Sequence, residues 1–375
     1  MKRVLVIAPY PYLPFFSGGQ KTIAQFNEYL AQEVSLTVVS TKTNDARLVK
    51  GYTLLQWLPD SFLRYVDIRL IGRLSQLIRA ERFDCIIWIH PYYHWLARLI
   101  QRKFNLFTIV HSHNIEYQRF RSTGKWWWPI LRFYEKACLR SADYNYFISG
   151  QDLEIACQEW KLDRKACDVM PLGILQHEPP ADRSLCQQLI RERHNIKENE
   201  HILLFNGLLN YLPNQQALDD LLNHINPNLQ LKQGFSYRLI ICGKNLPSKY
   251  AELAAYRSKH IIYAGFVPDI ETYFKAADVF LNPVLSGGGI KTKMVEAIGL
   301  GTTVVSSQTG STGIDPAVCG EKLIIAADHD WETFSSKVVE ACSQVNKTPE
   351  AYYLKYYWGN IIKKIPALLA DQATR

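Results

Sequence analysis

Residues 286–301 read Ser-Gly-Gly-Gly-Ile-Lys-Thr-Lys-Met-Val-Glu-Ala-Ile-Gly-Leu-Gly, and those types at that spacing could hold a phosphate. Gly287, Gly288 and Gly289 let the backbone bend and let a ligand approach its amides. Apolar residues at helical spacing follow, so the loop runs into a helix start. Exposed N–H groups and the helix dipole favour an anion there. The N–H groups of Gly289 and Ile290 are the expected phosphate donors, and Lys291 and Lys293 add formal charge. Glu296 follows, where a carboxylate can accept bonds from sugar hydroxyls. The combination suits a nucleotide diphosphate carrying a sugar. The alternative is a glycine-rich turn with two solvated lysines.

Other groups carry weaker signals. Ser17-Gly18-Gly19 forms a second glycine loop after a short apolar run. Asn210 and Asn214 straddle a proline turn, where they either touch phosphate or cap a helix. Lys244 ends a strand-like run, where it lines a base pocket or is solvated. His90 and His94 have the spacing of a metal pair, but Pro91 and the lack of a nearby third ligand argue against one. Residues 119–132 set Trp126, Trp127 and Trp128 among cations. Such a segment either lies at a membrane interface or packs as an aromatic cluster.

These groups need a scaffold, and the chain supplies alternating elements. Strands are expected at 3–8, 36–40, 84–89, 106–111 and 144–148, then at 202–206, 237–242, 261–264, 278–282, 302–306 and 322–326. Helical patterns lie between them, at 20–32, 71–81, 128–140, 214–225 and 291–299. Strand–helix alternation implies parallel sheets covered by helices on both faces. The series breaks at 171–200, a proline-rich and then charged stretch that reads as a hinge. The expected domains are therefore 1–175 and 176–345, followed by an aromatic helical segment, 346–375, packed on the outside or back on the first domain. Both glycine loops then fall beyond carboxyl ends of strands, where such sheets bind ligands, and both can border one cleft.

With 375 residues, two domains are the default. A net charge of +8 favours anionic partners. No basic run of five or more occurs, which argues against a nucleic-acid arm. The eight cysteines stand singly with no C-x-x-C pair, a pattern that fits small buried side chains in a reducing cytosol. The short apolar run 4–8 reads as a first strand and not a signal peptide.

In order, the stretches VLVIAP…SGGQKT, HSHNIEYQRF, FISGQDLE, VMPLGI, LLFNGLLNYLPN, LIICGK, AGFVPDIETYFKAADVFLNP and GGGIKTKMVEAIGLGTTVV resemble the GT-B glycosyltransferases of the retaining family 4 group. The resemblance covers nearly the whole chain. It implies two doubly wound Rossmann-like α/β domains facing a central cleft. It also implies transfer of a sugar, with retention, from a nucleotide diphosphate sugar to an acceptor hydroxyl on a glycan or a lipid-linked carrier. No cofactor or essential metal is implied, and the chain shows no Asp-x-Asp motif. The donor side would hold Gly18, Gly19, Gly207, Asn210, Lys244 and the 287–296 loop. A histidine in the position of His111 or His113 would border the reacting carbon, and Glu116 could orient one imidazole. A cytoplasmic enzyme, peripheral at the inner membrane face through the three tryptophans, would suit a lipid-linked acceptor.

Two departures stand out. The family's paired glutamates lie eight apart; Glu296 matches the second, and Gly288 stands where the first would be. The arginine and lysine that usually follow the glycine matched by Gly207 are absent from 208–214. Lys291 and Lys293 could replace them. The departures keep open a non-catalytic subunit that binds a sugar nucleotide or a partner enzyme. A sugar-nucleotide epimerase would need paired carboxylates that the sequence does not place.

Overall fold

The run Cys85–Ile89 is buried at every position, which suits an inner strand of a parallel sheet covered on both faces. The computed structural model, which describes residues 1–287 and 289–373, builds two sheets of such strands. The chain divides into two compact units: Met1–Gly173 with Tyr356–Arg375, and Ile174–Lys355.

The first unit carries β1 (Arg3–Ala8), β2 (Ser35–Thr41), β3 (Thr53–Leu58), β4 (Cys85–Ile89), β5 (Phe107–Ser112), β6 (Tyr144–Phe147) and β7 (Cys167–Val169). Their spatial order is β3-β2-β1-β4-β5-β6-β7, and every pairing is parallel. Period two divides the core. Leu5, Ile7, Ile86 and Trp88 point into one apolar layer. Val4, Val6, Cys85 and Ile87 point into the other, with Phe26, Trp358 and Ile362. Trp358 is fully buried and donates from Nε1 to Gln25 Oε1 at 3.0 Å. The tail's aromatic residues are therefore core and not outer covering: Tyr352, Tyr353 and Tyr356 are buried as well.

The second unit carries β8 (His201–Leu208), β9 (Tyr237–Lys244), β10 (Ile261–Gly265), β11 (Val279–Asn282), β12 (Thr303–Ser307) and β13 (Leu323–Ala326). Their order is β10-β9-β8-β11-β12-β13, again parallel throughout. The order reverses between β1 and β4 in the first sheet and between β8 and β11 in the second. At such points adjacent loops diverge and leave a crevice beyond the strand ends. His90 follows β4. The 207–214 turn and the glycine loop follow β8 and β11.

The sequence reading omitted β3 and β7. β3 is an edge strand with only Leu58 buried, and β7 has three residues, so neither leaves a strong apolar run. The expected hinge is also partly wrong. Helix Arg183–His194 lies within it and belongs to the second unit. Only Cys186 and Ile190 of that helix are buried, too few to show a helical period. No helix among the described residues is long and apolar enough to cross a membrane.

Candidate functional site

In the second unit the polar groups converge on the end of β8. Lys293, in the first turn of helix Thr292–Gly299, donates to Asn206 O at 2.6 Å. Asn214 donates to Leu208 O at 2.9 Å from the first turn of helix Leu212–Asp220. A Cβ on Gly207 would stand 2.8 Å from both Lys293 Nζ and Asn214 Nδ2. Glycine is thus what lets both side chains close on the strand end. Lys291 donates to Gly287 O at 2.7 Å and to Gly289 O at 3.3 Å. Gly287 and Gly289 have φ of 90° and 73°, left-handed values that favour glycine. No side chain caps helix Thr292–Gly299, so its dipole faces the same place as the two amines.

The base of the loop is fastened from below. Ser307 Oγ donates to Val284 O at 2.7 Å, and Asn282 Nδ2 to Ser306 Oγ at 2.9 Å. Burial lowers both amines to about 8. Glu296, half-buried on the same helix, favours the charged form of Lys293, and Lys291 opposes it. Two part-desolvated ammonium groups are thus held by backbone carbonyls, where an anion would accept stronger, charge-assisted bonds.

In the first unit, three imidazoles meet at the carboxyl ends of β4 and β5. The ring centroids of His90 and His113 are 4.7 Å apart, and those of His111 and His113 are 4.6 Å apart. His90 has φ 65° and ψ 157°, a conformation that costs a non-glycine residue of order 1–3 kcal/mol. Its Nδ1 lies 3.1 Å from Glu116 Oε1, without hydrogen-bond alignment. Buried Glu116 also accepts from Arg119 at 2.6 Å, from Tyr92 Oη and from Asn114. Burial alone would raise its carboxyl; His90 and Arg119 outweigh burial and bring it to about 2. Glu135, also buried, accepts the N–H groups of Glu116 and Tyr117 at 2.8 and 3.0 Å and so caps helix Glu116–Ser122 from a distance. Burial lifts Glu135 to about 8 against those two bonds. Burial takes His111 down to about 3 and His113 well below the usual range, with neighbouring imidazoles adding to it. Both rings are therefore neutral at physiological pH.

Two family models match: "Glycosyltransferase Family 4" over residues 16–175 and "Glycosyl transferases group 1" over residues 200–344. The chain is a GT-B glycosyltransferase. Similar solved structures include sucrose-phosphate synthase from Thermosynechococcus elongatus (14% identity, all of both chains covered, TM-score 0.71). A glycosyltransferase from Rickettsia africae has 12% identity, with 99% of this chain and 98% of that one covered and a TM-score of 0.72. Anabaena HepE in complex with UDP and glucose has 13% identity, with 99% and 100% covered and a TM-score of 0.68. At such identities these show the fold. Among curated proteins none matches significantly in sequence.

Within this glycosyltransferase, Gly207, Gly287, Gly289, Lys291 and Lys293 come together, and buried Ile290 lies between the last glycine and the first lysine. Gly288 lies outside the described residues. Lys244 ends β9 with its Nζ 3.9 Å from the ring centroid of Phe266. Asn210 is exposed in the turn, whereas Asn214 is buried and caps no helix N-terminus with its side chain. Gly18 and Gly19 open helix Gly18–Glu33, which Ser17 caps; a Cβ on Gly19 would meet nothing within 4 Å.

His111 and His113 are adjacent, but Glu116 turns to His90 and not to either of them. The sequence does not mark His90 as a partner of Glu116, since its spacing suggests only a pair with His94. Its signal was its place at the end of an apolar strand. Glu135 left none, being one carboxylate in a basic helix. Of the three tryptophans only Trp126 is exposed. Trp127 packs on Phe120 with centroids 4.5 Å apart, and Trp128 on Tyr117 at 6.1 Å.

Proposed function

We propose that this glycosyltransferase moves a sugar from a nucleotide diphosphate sugar to an acceptor hydroxyl with retention and without an essential metal. The observation that carries the reading is the closure of Lys293, Asn214 and the Lys291 loop around Gly207 at the switch point of the second sheet. The donor diphosphate takes the place of the backbone carbonyls that now accept from the two lysines, and Glu296 accepts from the ribose hydroxyls. HepE, of the same fold, forms a complex with UDP and glucose, which supports a UDP-sugar as the first donor to try. The lysines and the helix dipole supply the charge compensation that a divalent ion would otherwise give.

The acceptor oxygen forms its bond to the anomeric carbon as the bond from that carbon to the diphosphate oxygen breaks. The acceptor proton passes to the leaving diphosphate. His113, less deeply buried than His111, is the histidine we assign to the reacting centre, with His111 packed behind it. The acceptor is a glycan or a lipid-linked carrier, met through Trp126 at the inner face of a membrane. Eight free cysteines support a reducing, cytoplasmic setting. Turnover of UDP-sugars and GDP-sugars, tested one by one, checks the reading: one donor is turned over, and a folded protein that neither binds nor turns over any of them refutes it.

A further inference from the structure

Helix Thr292–Gly299, whose first turn carries Lys293, is held at its other end by two cations. The helix closes on a glycine. Gly301 N–H donates to Ile298 O at 3.0 Å and Thr302 N–H to Ala297 O at 2.9 Å, with Gly301 at φ 82°, the left-handed value that such an ending favours. Side chains take the carbonyls around this turn. Tyr352 Oη donates to Val295 O at 2.7 Å, Thr348 Oγ1 to Ile298 O at 2.7 Å and Tyr353 Oη to Gly299 O at 3.0 Å. Arg183 Nη1 donates to Leu300 O at 3.0 Å, and Lys322 Nζ to Gly301 O at 2.7 Å. A Cβ on Gly301 would stand 2.8 Å from Arg183 Nη1, so this glycine admits a cation to the chain as Gly207 does beside Lys293.

Hydroxyls would have satisfied the last two carbonyls as they do the others. Formal charges stand there instead, and both are costly to bury. Lys322 is buried and Arg183 half-buried. Burial lowers both groups, Lys322 to about 8. Arg183 also donates to Ala277 O at 3.1 Å and to Thr302 Oγ1 at 3.3 Å, and Lys322 to Thr303 Oγ1 at 3.3 Å. Among the described residues neither bonds a carboxylate. Asp278 favours the charged form of Arg183, but its oxygens accept from Gln187 Nε2 and the Ile202 N–H. What these cations do meet is the negative end of a helix dipole. Offsetting that end leaves the positive end less opposed, where an anion would sit. The helix has eight residues, about 12 Å at 1.5 Å each, short enough for the charges to be felt along it. The hold is geometric as well. Arg183 opens helix Arg183–His194, Lys322 precedes β13, and the hydroxyls come from 348–353. Three separate segments therefore fix this helix against sliding or turning.

We propose that Arg183 and Lys322 are positioning residues for the donor: by capping the C-terminus of helix Thr292–Gly299 they set the place of its first turn and the field at its N-terminus, where Lys291, Lys293 and the glycine loop meet the diphosphate. Both lie at the amino ends of β11, β12 and β13, the edge opposite the donor loop, and so act through the helix and not by contact with the substrate. The proposal rests on the assignment of the donor diphosphate to that loop and names what holds the loop's helix from behind.

The test is calorimetry of the full chain with UDP, and with uridine as the phosphate-free control, on Arg183→Met, Arg183→Lys and Lys322→Met. GDP and guanosine replace them if GDP is the nucleotide bound. Lys322→Met keeps most of the side chain's length and removes its charge. Nucleotide affinity is expected to fall by about threefold to tenfold for each charge lost, with nucleoside affinity unchanged, and Arg183→Lys to recover part of the loss. Lys197→Met, which removes an exposed cation of the second unit, changes affinity by less than about twofold. Circular dichroism and thermal unfolding check each fold; if Arg183→Met does not fold, Arg183→Lys and Lys322→Met decide. Two results overturn the proposal: nucleotide affinity within about twofold of the parent in the folded charge-removing variants, or nucleoside and nucleotide losses of equal size, which would make the cap structural only. A parent that binds neither UDP nor GDP overturns the donor assignment itself and this proposal with it, a result distinct from both.

Discussion

Replacing Gly207 with alanine adds a single methyl group where the structure leaves no room. The new Cβ would lie 2.8 Å from Lys293 Nζ, 2.8 Å from Asn214 Nδ2 and 2.9 Å from Asn214 Cγ, all inside van der Waals contact. Lys293 can withdraw its tip because the amine ends a flexible chain. Asn214 is shorter and fixed in a helix, so it has less freedom. Both must give up their bonds to the carbonyls of Asn206 and Leu208. The neutral bond is worth about 1 kcal/mol and the charge-assisted one about 1.5–3 kcal/mol. Folding stability is expected to fall by a comparable few kcal/mol. If Lys293 grips the diphosphate, displacing it weakens nucleotide binding by about tenfold to a hundredfold. Calorimetric titration with UDP and GDP reads the affinity, and thermal unfolding confirms that the variant is folded. The double variant with Lys293→Ala closes a cycle: once the amine is gone, Gly207→Ala should cost much less further affinity. Affinity within twofold of the parent in a folded Gly207→Ala protein refutes the reasoning.

Three further outcomes are expected. Activity survives excess chelator; loss of activity that magnesium or manganese restores would show that the lysines do not carry the charge alone. His113→Ala lowers turnover by about a hundredfold or more with nucleotide affinity little changed, whereas near-normal turnover in steady-state kinetics would leave that ring structural. Because Lys291 and Lys293 sit at about 8 in the free protein, both are charged below that pH and lose charge above it. Nucleotide affinity should hold up to about pH 7 and then fall by up to about tenfold per lysine per pH unit above 8, while the ligand-free fold gains stability from pH 8 to 10.5 as the cost of burying the charged amines is relieved; calorimetry and denaturant melts across that range check the two opposite trends.

The doubly wound architecture was legible because inner strands such as Cys85–Ile89 are continuous apolar runs, whose burial on both faces leaves little choice of fold. The edges were not, since the half-exposed Thr53–Leu58 and the three residues Cys167–Val169 carry little apolar period. The clustering of Lys291 and Lys293 near Gly207 was partly legible, because the loop's glycines and lysines fall in one short stretch. The first unit's polar network was hidden for the opposite reason. His90 meets Glu116 across 26 positions, and Glu135 reaches the helix at Glu116 across 19, distances over which composition says nothing about contact. Three adjacent tryptophans likewise could not reveal that Trp127 and Trp128 turn inward to Phe120 and Tyr117 while Trp126 faces water.

The central claim is that the 287–296 loop binds the donor's diphosphate and ribose. Calorimetric titration of the preferred nucleotide into the parent, Lys293→Met and Glu296→Gln tests it most directly. Losses of about tenfold to a hundredfold are expected for each variant, with the parent binding equally well in chelator. Unchanged affinity in both folded variants would contradict it and move the donor site elsewhere on the chain.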